Sequence, residues 1–132
     1  MAVISGDGVF SHACVGASDL AQSVKFYDDI LAPLGVKNLG PFGEAAVLYG
    51  RDKPAFLVLK PGNGEAPSSN GVTVGFAAAS QADVGAFHAA GLAAGGICEG
   101  APGPRGHLPG AYAAYLRDPA GNKICAYHFS AV

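Results

Sequence analysis

The stretch Asp19-Leu-Ala-Gln-Ser-Val-Lys-Phe-Tyr-Asp-Asp-Ile-Leu-Ala-Pro-Leu-Gly35 decides how this chain is to be read. Asp19 and Gln22 form a capping box, with Gln22 placed to reach back to the Asp19 backbone. Leu20, Val24, Tyr27, Leu31 and Leu34 then recur at spacings of 4, 3, 4 and 3 residues, which lays one apolar stripe along a helix. Pro33 and Gly35 end it, so the helix should stop between Ala32 and Gly35. The apolar run Phe10–Gly16 ahead of it predicts a short strand. Behind it, Val36–Leu39, Ala45–Tyr49 and Ala55–Lys60 predict three more, punctuated by Gly40-Pro41, Gly50 and Pro61-Gly62. The unit is β-α-β-β-β.

The same unit recurs 61 residues later. Asp19 falls on Ser80, a second good N-cap; Phe26 falls on Phe87; Gly35-Val36 falls on Gly96-Ile97; and His12 falls on Thr73. Val72–Ala78 is the matching strand, and Ser80 to about Ala94 is an Ala-rich helix with Val84, Phe87 and Gly91 inward, stopped by Gly95-Gly96. Ile97–Glu99 reads as a short strand and Gly100–Gly110 as a Gly/Pro-rich loop of the kind that acts as a lid. Tyr112–Arg117 and Lys123–Phe129 form a hairpin around Asp118-Pro-Ala-Gly-Asn122. The expected architecture is α+β: two βαβββ modules, about 8–60 and about 71–130, joined by a linker over 61–70, forming a curled, cup-shaped mixed sheet.

Composition narrows the partners. Of 132 residues, 25 are Ala and 20 are Gly, and only 14% are charged, against roughly 25% in an ordinary soluble domain. The net charge of −2 supplies no basic field, which argues against nucleic acid or an anionic membrane as partner. No apolar run approaches the length of a membrane span. Met1–Gly8 shows no export signal, and three cysteines without paired spacing suggest no disulfide framework; a reducing cytoplasm is the expected compartment.

Period-two alternation selects the residues that can meet. Val72, Val74 and Phe76 should pack on a helix, which turns Thr73, Gly75 and Ala77 to the other face. In the last strand, Cys125 and Tyr127 share one face. His12, Thr73, Cys125 and Tyr127 are therefore candidates for one concave surface. Arg105, one of three arginines, and His107 stand in the loop, and Tyr115 stands on the hairpin. Tyr49 and Phe56 could line the first module's half. Cys14 and Cys98 are read as packing residues, His88 and His128 as surface residues, and Asp28-Asp29 as a solvated pair.

Ser11-His12 before Gly16-Ala-Ser-Asp-Leu20, the Phe26-Tyr27 and Leu31-Ala-Pro-Leu-Gly35 helix, and Arg117-Asp-Pro-Ala-Gly-Asn-Lys123 together resemble the vicinal oxygen chelate superfamily. It contains glyoxalase I, extradiol dioxygenases, fosfomycin-resistance enzymes and bleomycin-resistance proteins. The resemblance covers nearly the whole chain and implies a single glyoxalase-like domain over 1–132. It implies a cup in which a divalent ion chelates two neighbouring substrate oxygens as a Lewis acid. Carried over by position, His12 matches the first-strand ligand. Thr73 stands where the family commonly has His, Cys125 where it commonly has Glu, and Leu57 near the fourth position. His12 with Cys125 would suit zinc best, but a catalytic site wants about three protein ligands.

Two functions follow from the resemblance. One is a glyoxalase-like lyase or related metal-assisted enzyme, with His12 as metal ligand or general base and Thr73, Arg105, His107, Tyr115 and Tyr127 holding a small oxygenated substrate. The other is a metal-free, antibiotic-type binding protein using the same cup. A homodimer is expected in either case.

Overall fold

The computed structural model describes residues 8–68 and 70–130. Two βαβββ modules are present. The first runs β1 (Ala13–Gly16), α1 (Leu20–Leu31), a 3-10 turn (Ala32–Leu34), β2 (Lys37–Phe42), β3 (Ala46–Gly50) and β4 (Phe56–Leu59). The second runs β5 (Thr73–Ala77), α2 (Gln81–Ala93), β6 (Ile97–Pro104), β7 (Ala111–Arg117) and β8 (Lys123–Phe129). Backbone hydrogen bonds divide the strands into two four-stranded sheets of equivalent order, β1-β4-β3-β2 and β5-β8-β7-β6. In each, the first and last strands of the module are parallel neighbours and the remaining pairs are antiparallel.

The caps fall where the duplicated pattern puts them. Asp19 Oδ1 accepts from the Gln22 amide at 3.1 Å, and Ser80 Oγ accepts from the Asp83 amide at 3.1 Å. Gly35 closes the 3-10 turn in the left-handed region at φ 72°, which a side chain would strain. The buried face of α1 is broader than the predicted stripe: Ser23, Phe26, Tyr27, Ile30 and Leu31 are inward, while Val24 is half-buried. Phe26 and Ile30 fall between the predicted positions because the helix is covered by both a sheet and α2.

Four sequence expectations are corrected. β6 extends to Pro104, so half of the anticipated lid is strand, with register shifts at Cys98/Gly100 and Gly100/Gly103. Gly and Pro obscure its alternation. His88 is buried at 8% exposure and its Nε2 lies 3.2 Å from Cys98 Sγ; on an Ala-rich helix no apolar stripe marks the inner face. Cys14 and Cys98 are exposed. Asp28 and Asp29 are not simply solvated: Asp28 accepts from the Tyr49 hydroxyl at 2.9 Å and Asp29 pairs with Lys25 at 3.1 Å.

One core spans both modules, running through Val15, Phe26, Tyr27, Ile30, Phe56 and Val58 into Val84, Phe87, Leu116 and Ile124. Fully burying side chains of this kind contributes about 1.5–3 kcal/mol each. At Gly91, α2 approaches β7 so closely that a Cβ would lie 2.3 Å from Leu116 Cδ1. Polar ties cross between modules: Asn122 Nδ2 donates to the Gly16 carbonyl at 2.7 Å, and one Arg51 Nη2 serves the carbonyls of Leu34 and Ala77. Among the described residues, no helix is long and apolar enough to cross a membrane.

Candidate functional site

The register of the second sheet places the chemistry row by row. Gly75, Cys125 and Tyr115 stand side by side across β5, β8 and β7, with Gly100 of β6 beyond Tyr115. One row along, Ala77, Tyr127 and Ala113 are neighbours, with Gly103 next. On the other side lie Thr73, Lys123 and Arg117. Residues two apart on a strand share a face, so Thr73, Tyr115, Cys125 and Tyr127 come to one surface through alternation alone.

They line a cavity of about 560 Å³, completed by Phe10, Gly75, Phe76, Ala77, Leu108 and Phe129. The small residues matter here: a Cβ on Gly75 would press on Cys125 Sγ at 3.3 Å. The hydroxyls of Tyr115 and Tyr127 hydrogen-bond to each other and their rings meet edge to face. Phe129 stacks on Tyr127 with ring centroids 5.4 Å apart. Burial and the bond to Tyr127 hold the Tyr115 phenol neutral, far above its ordinary range. Burial also pushes the Cys125 thiol up to about 11, against the opposing fields of Lys123 and Arg105 and the bond from Tyr115. The floor of the cup is thus a neutral array of hydrogen-bonding groups set in apolar surroundings.

The remaining candidates lie around it. Arg105 lines a neighbouring recess of about 440 Å³ with Thr73, Glu99, Gly100, Ala101, Tyr115 and Lys123. His107 is exposed in the turn between β6 and β7 and does not line the cup, whereas the adjacent Leu108 does. His12 is exposed, with Nδ1 2.9 Å from Ser11 Oγ, and is not among the lining residues. Phe10, two positions earlier, is one of them. Leu57 pairs with Cys14 in the other sheet, and Tyr49 and Phe56 are buried core residues that also line a separate cavity of about 200 Å³ with Val74, Gly75, Phe76 and Ala77. His128 Nδ1 lies 3.1 Å from the Ala78 carbonyl.

Sequence reasoning missed Phe10, Leu108, Phe129 and Lys123. For the last two a signal existed: both share the Cys125–Tyr127 face by period two. Leu108 and Phe10 come from irregular segments with no period to read.

A divalent metal fits this donor set poorly within one chain. Among the described residues no three of His, Cys, Asp or Glu come together to hold an ion. Cys125 lines the cavity, but His12 does not join it there.

A model of the Glyoxalase/Bleomycin resistance protein/Dioxygenase superfamily matches residues 9–126. A glyoxalase/bleomycin resistance protein from Albidiferax ferrireducens is 45% identical, with 93% of this chain and 100% of that one covered and a TM-score of 0.83. Two more distant structures share the fold. One is a family enzyme from Burkholderia phytofirmans (15% identity, TM-score 0.70, 91% and 98% covered). The other is a lactoylglutathione lyase from Agrobacterium tumefaciens (18% identity, TM-score 0.65, 93% and 95% covered). No functionally curated protein matches the chain.

Proposed function

The chain belongs to the Glyoxalase/Bleomycin resistance protein/Dioxygenase superfamily, and on that footing we propose that it binds a small oxygenated molecule in the cup of its second sheet without using a metal. The observation that carries this reading is the Tyr115–Tyr127 hydroxyl pair, set beside Cys125 and Thr73 in an otherwise apolar cavity. Both residues are half-buried, and a phenol withdrawn from water needs a hydrogen-bond partner. Two phenols partnering each other can release one hydroxyl to a ligand carbonyl or hydroxyl without stranding the other. The cup then discriminates by hydrogen bonding, where leaving one buried polar group unmet costs about 1–3 kcal/mol.

A homodimer completes the proposal. β1 and β5 each have a neighbour on one side only, and open strand edges favour pairing or covering. Val9, Phe10 and Val72 are exposed near them, Phe10 at 87%. Three unpaired thiols fit a reducing cytoplasm.

The test uses 2-naphthamide, a neutral carbonyl compound, titrated into isotopically labelled protein. Backbone resonances of Gly75, Ala77 and Ala113 should shift together, and Tyr127→Phe should weaken binding roughly tenfold. Shifts spread over the whole surface, or none, would overturn the cup as the site.

A glyoxalase-like lyase is the second reading. It is favoured by Phe10, whose place in the cavity wall brings Ser11-His12 within two residues of the cup. Dialysis against zinc, nickel or manganese and assay with the methylglyoxal–glutathione adduct separate the two. Stoichiometric metal and turnover, both lost in His12→Ala, establish the lyase and remove the metal-free binder.

A further inference from the structure

Beside the cup lies a second recess, and the two share Thr73 and Tyr115 as a common wall. Their linings differ in kind. The cup is walled by aromatic rings, Leu108 and small residues. The recess carries Arg105, Lys123 and Glu99. Glu99 is already committed to Arg117 through a 2.5 Å ion pair, which holds the Glu99 carboxyl below its usual range. Arg105 and Lys123 form no ion pair with a carboxylate among the described residues. Arg105 spends its guanidinium on the carbonyls of Ala101, Gly103 and Pro104. Both cations lie against the Tyr115 ring, the Arg105 guanidinium carbon at 5.4 Å and Lys123 Nζ at 5.3 Å from its centroid.

This placement is unexpected on charge grounds. The protein is acidic overall, at −2, yet sets two cations at one mouth of the cup beside a single carboxylate that Arg117 already holds. Both are fixed on the same aromatic ring that forms the cup wall. Carbonyl contacts and cation–π contacts orient a cation but leave its charge uncompensated. An anionic group arriving here would meet preoriented donors, and the Thr73 hydroxyl stands in the same wall.

We propose that the ligand is an amphiphilic acid, whose flat apolar body fills the cup while its carboxylate, or a like anionic group, enters the recess between Arg105 and Lys123. The inference rests on the cup being the binding site and adds the chemical class of what it takes. It also assigns the two cations different means of recognition. Arg105, with its guanidinium held on three carbonyls, presents a fixed planar edge, while Lys123 supplies a mobile point charge.

The experiment compares 2-naphthoate with 2-naphthamide, which differ in charge and hardly in shape, by titration of labelled protein. The native protein should bind the acid at least about tenfold more tightly than the amide. Arg105→Gln and Lys123→Gln should each remove most of that preference, read as the ratio of acid to amide affinity within each variant, while leaving the dispersion of the spectrum unchanged. Raising salt from about 20 mM to about 500 mM should weaken the acid alone, because a partly exposed ion pair is screened. Equal affinity for acid and amide in the native protein, or a preference that survives both substitutions, overturns the anion subsite and leaves the cup standing. Failure of both compounds to shift the cup resonances overturns the cup itself and this inference with it.

Discussion

The Tyr27 hydroxyl donates to Asp118 Oδ2 at 2.5 Å across 91 residues of sequence, joining the helix of the first module to the hairpin of the second. Asp118 is buried, and its two oxygens also accept from the Asn122 side chain and from the amides of Ala120 and Asn122. Burial and the neighbouring carboxylate raise the Tyr27 phenol well above its ordinary range. The hairpin turn is therefore organised by a carboxylate whose fourth donor comes from the other half of the protein.

Tyr27→Phe should cost about 1–3 kcal/mol, the penalty for removing one partner of a buried charge-assisted bond. Asp118→Ala should cost more, since it strands the Tyr27 hydroxyl, two amides and the Asn122 side chain together. Urea denaturation reads both. A Tyr27→Phe midpoint equal to that of the native protein would show that the bond contributes nothing.

Two glycines of α2 should respond with opposite sign. Gly91→Ala drives a methyl into Leu116 and should destabilise by about 1–3 kcal/mol. Gly85 has open space around its Cβ position, so Gly85→Ala should stabilise by about 0.5–1 kcal/mol through helix propensity. Thermal unfolding of the two single variants checks the contrast.

The three thiols should separate by reactivity. Cys14 and Cys98 are exposed and Cys125 is buried. With the Cys125 thiol pushed up to about 11, only about one molecule in a thousand carries its thiolate at pH 8. An aromatic disulfide reagent should therefore titrate two thiols in the native protein and three in urea. Fast modification of a third native thiol would show that the cup is open and its thiol activated.

His88 should make the protein acid-sensitive. Burial lowers its pKa below the ordinary 6.5, so the unfolded chain binds its proton more readily than the folded one. The stabilising contribution is present above about 6.5 and is lost as pH falls through the lowered value. His88→Gln, which cannot charge, should flatten the loss of stability between pH 7.5 and pH 5. An unchanged pH profile in that variant would move the acid sensitivity elsewhere.

The helices were legible because caps and breakers act locally: Asp19 and Ser80 start them at positions that a single offset relates, and Gly35 and Gly95 end them. The face shared by Thr73, Cys125 and Tyr127 followed from strand period. What escaped was set by contacts that have no period. β6 is built of Gly and Pro, which carry no alternation, so its length shows only in its pairing with β7. The inward turn of His88 is decided by the sheet beneath α2, and alanines on every side of that helix conceal it. His12 matched a family position by register, but its side chain sits just ahead of β1, where strand alternation no longer fixes direction.

The parallel pairing of β5 with β8 has a consequence for how the protein comes into being. β5 is complete at Ala77, but the strand it pairs with begins only at Lys123. At about 5–20 residues per second of synthesis, the edge of β5 waits several seconds for its neighbour. Every wall of the cup that carries a phenol or thiol belongs to β7 or β8. The phenols and the thiol of the cup are therefore absent from the nascent protein until its last two strands have left the ribosome.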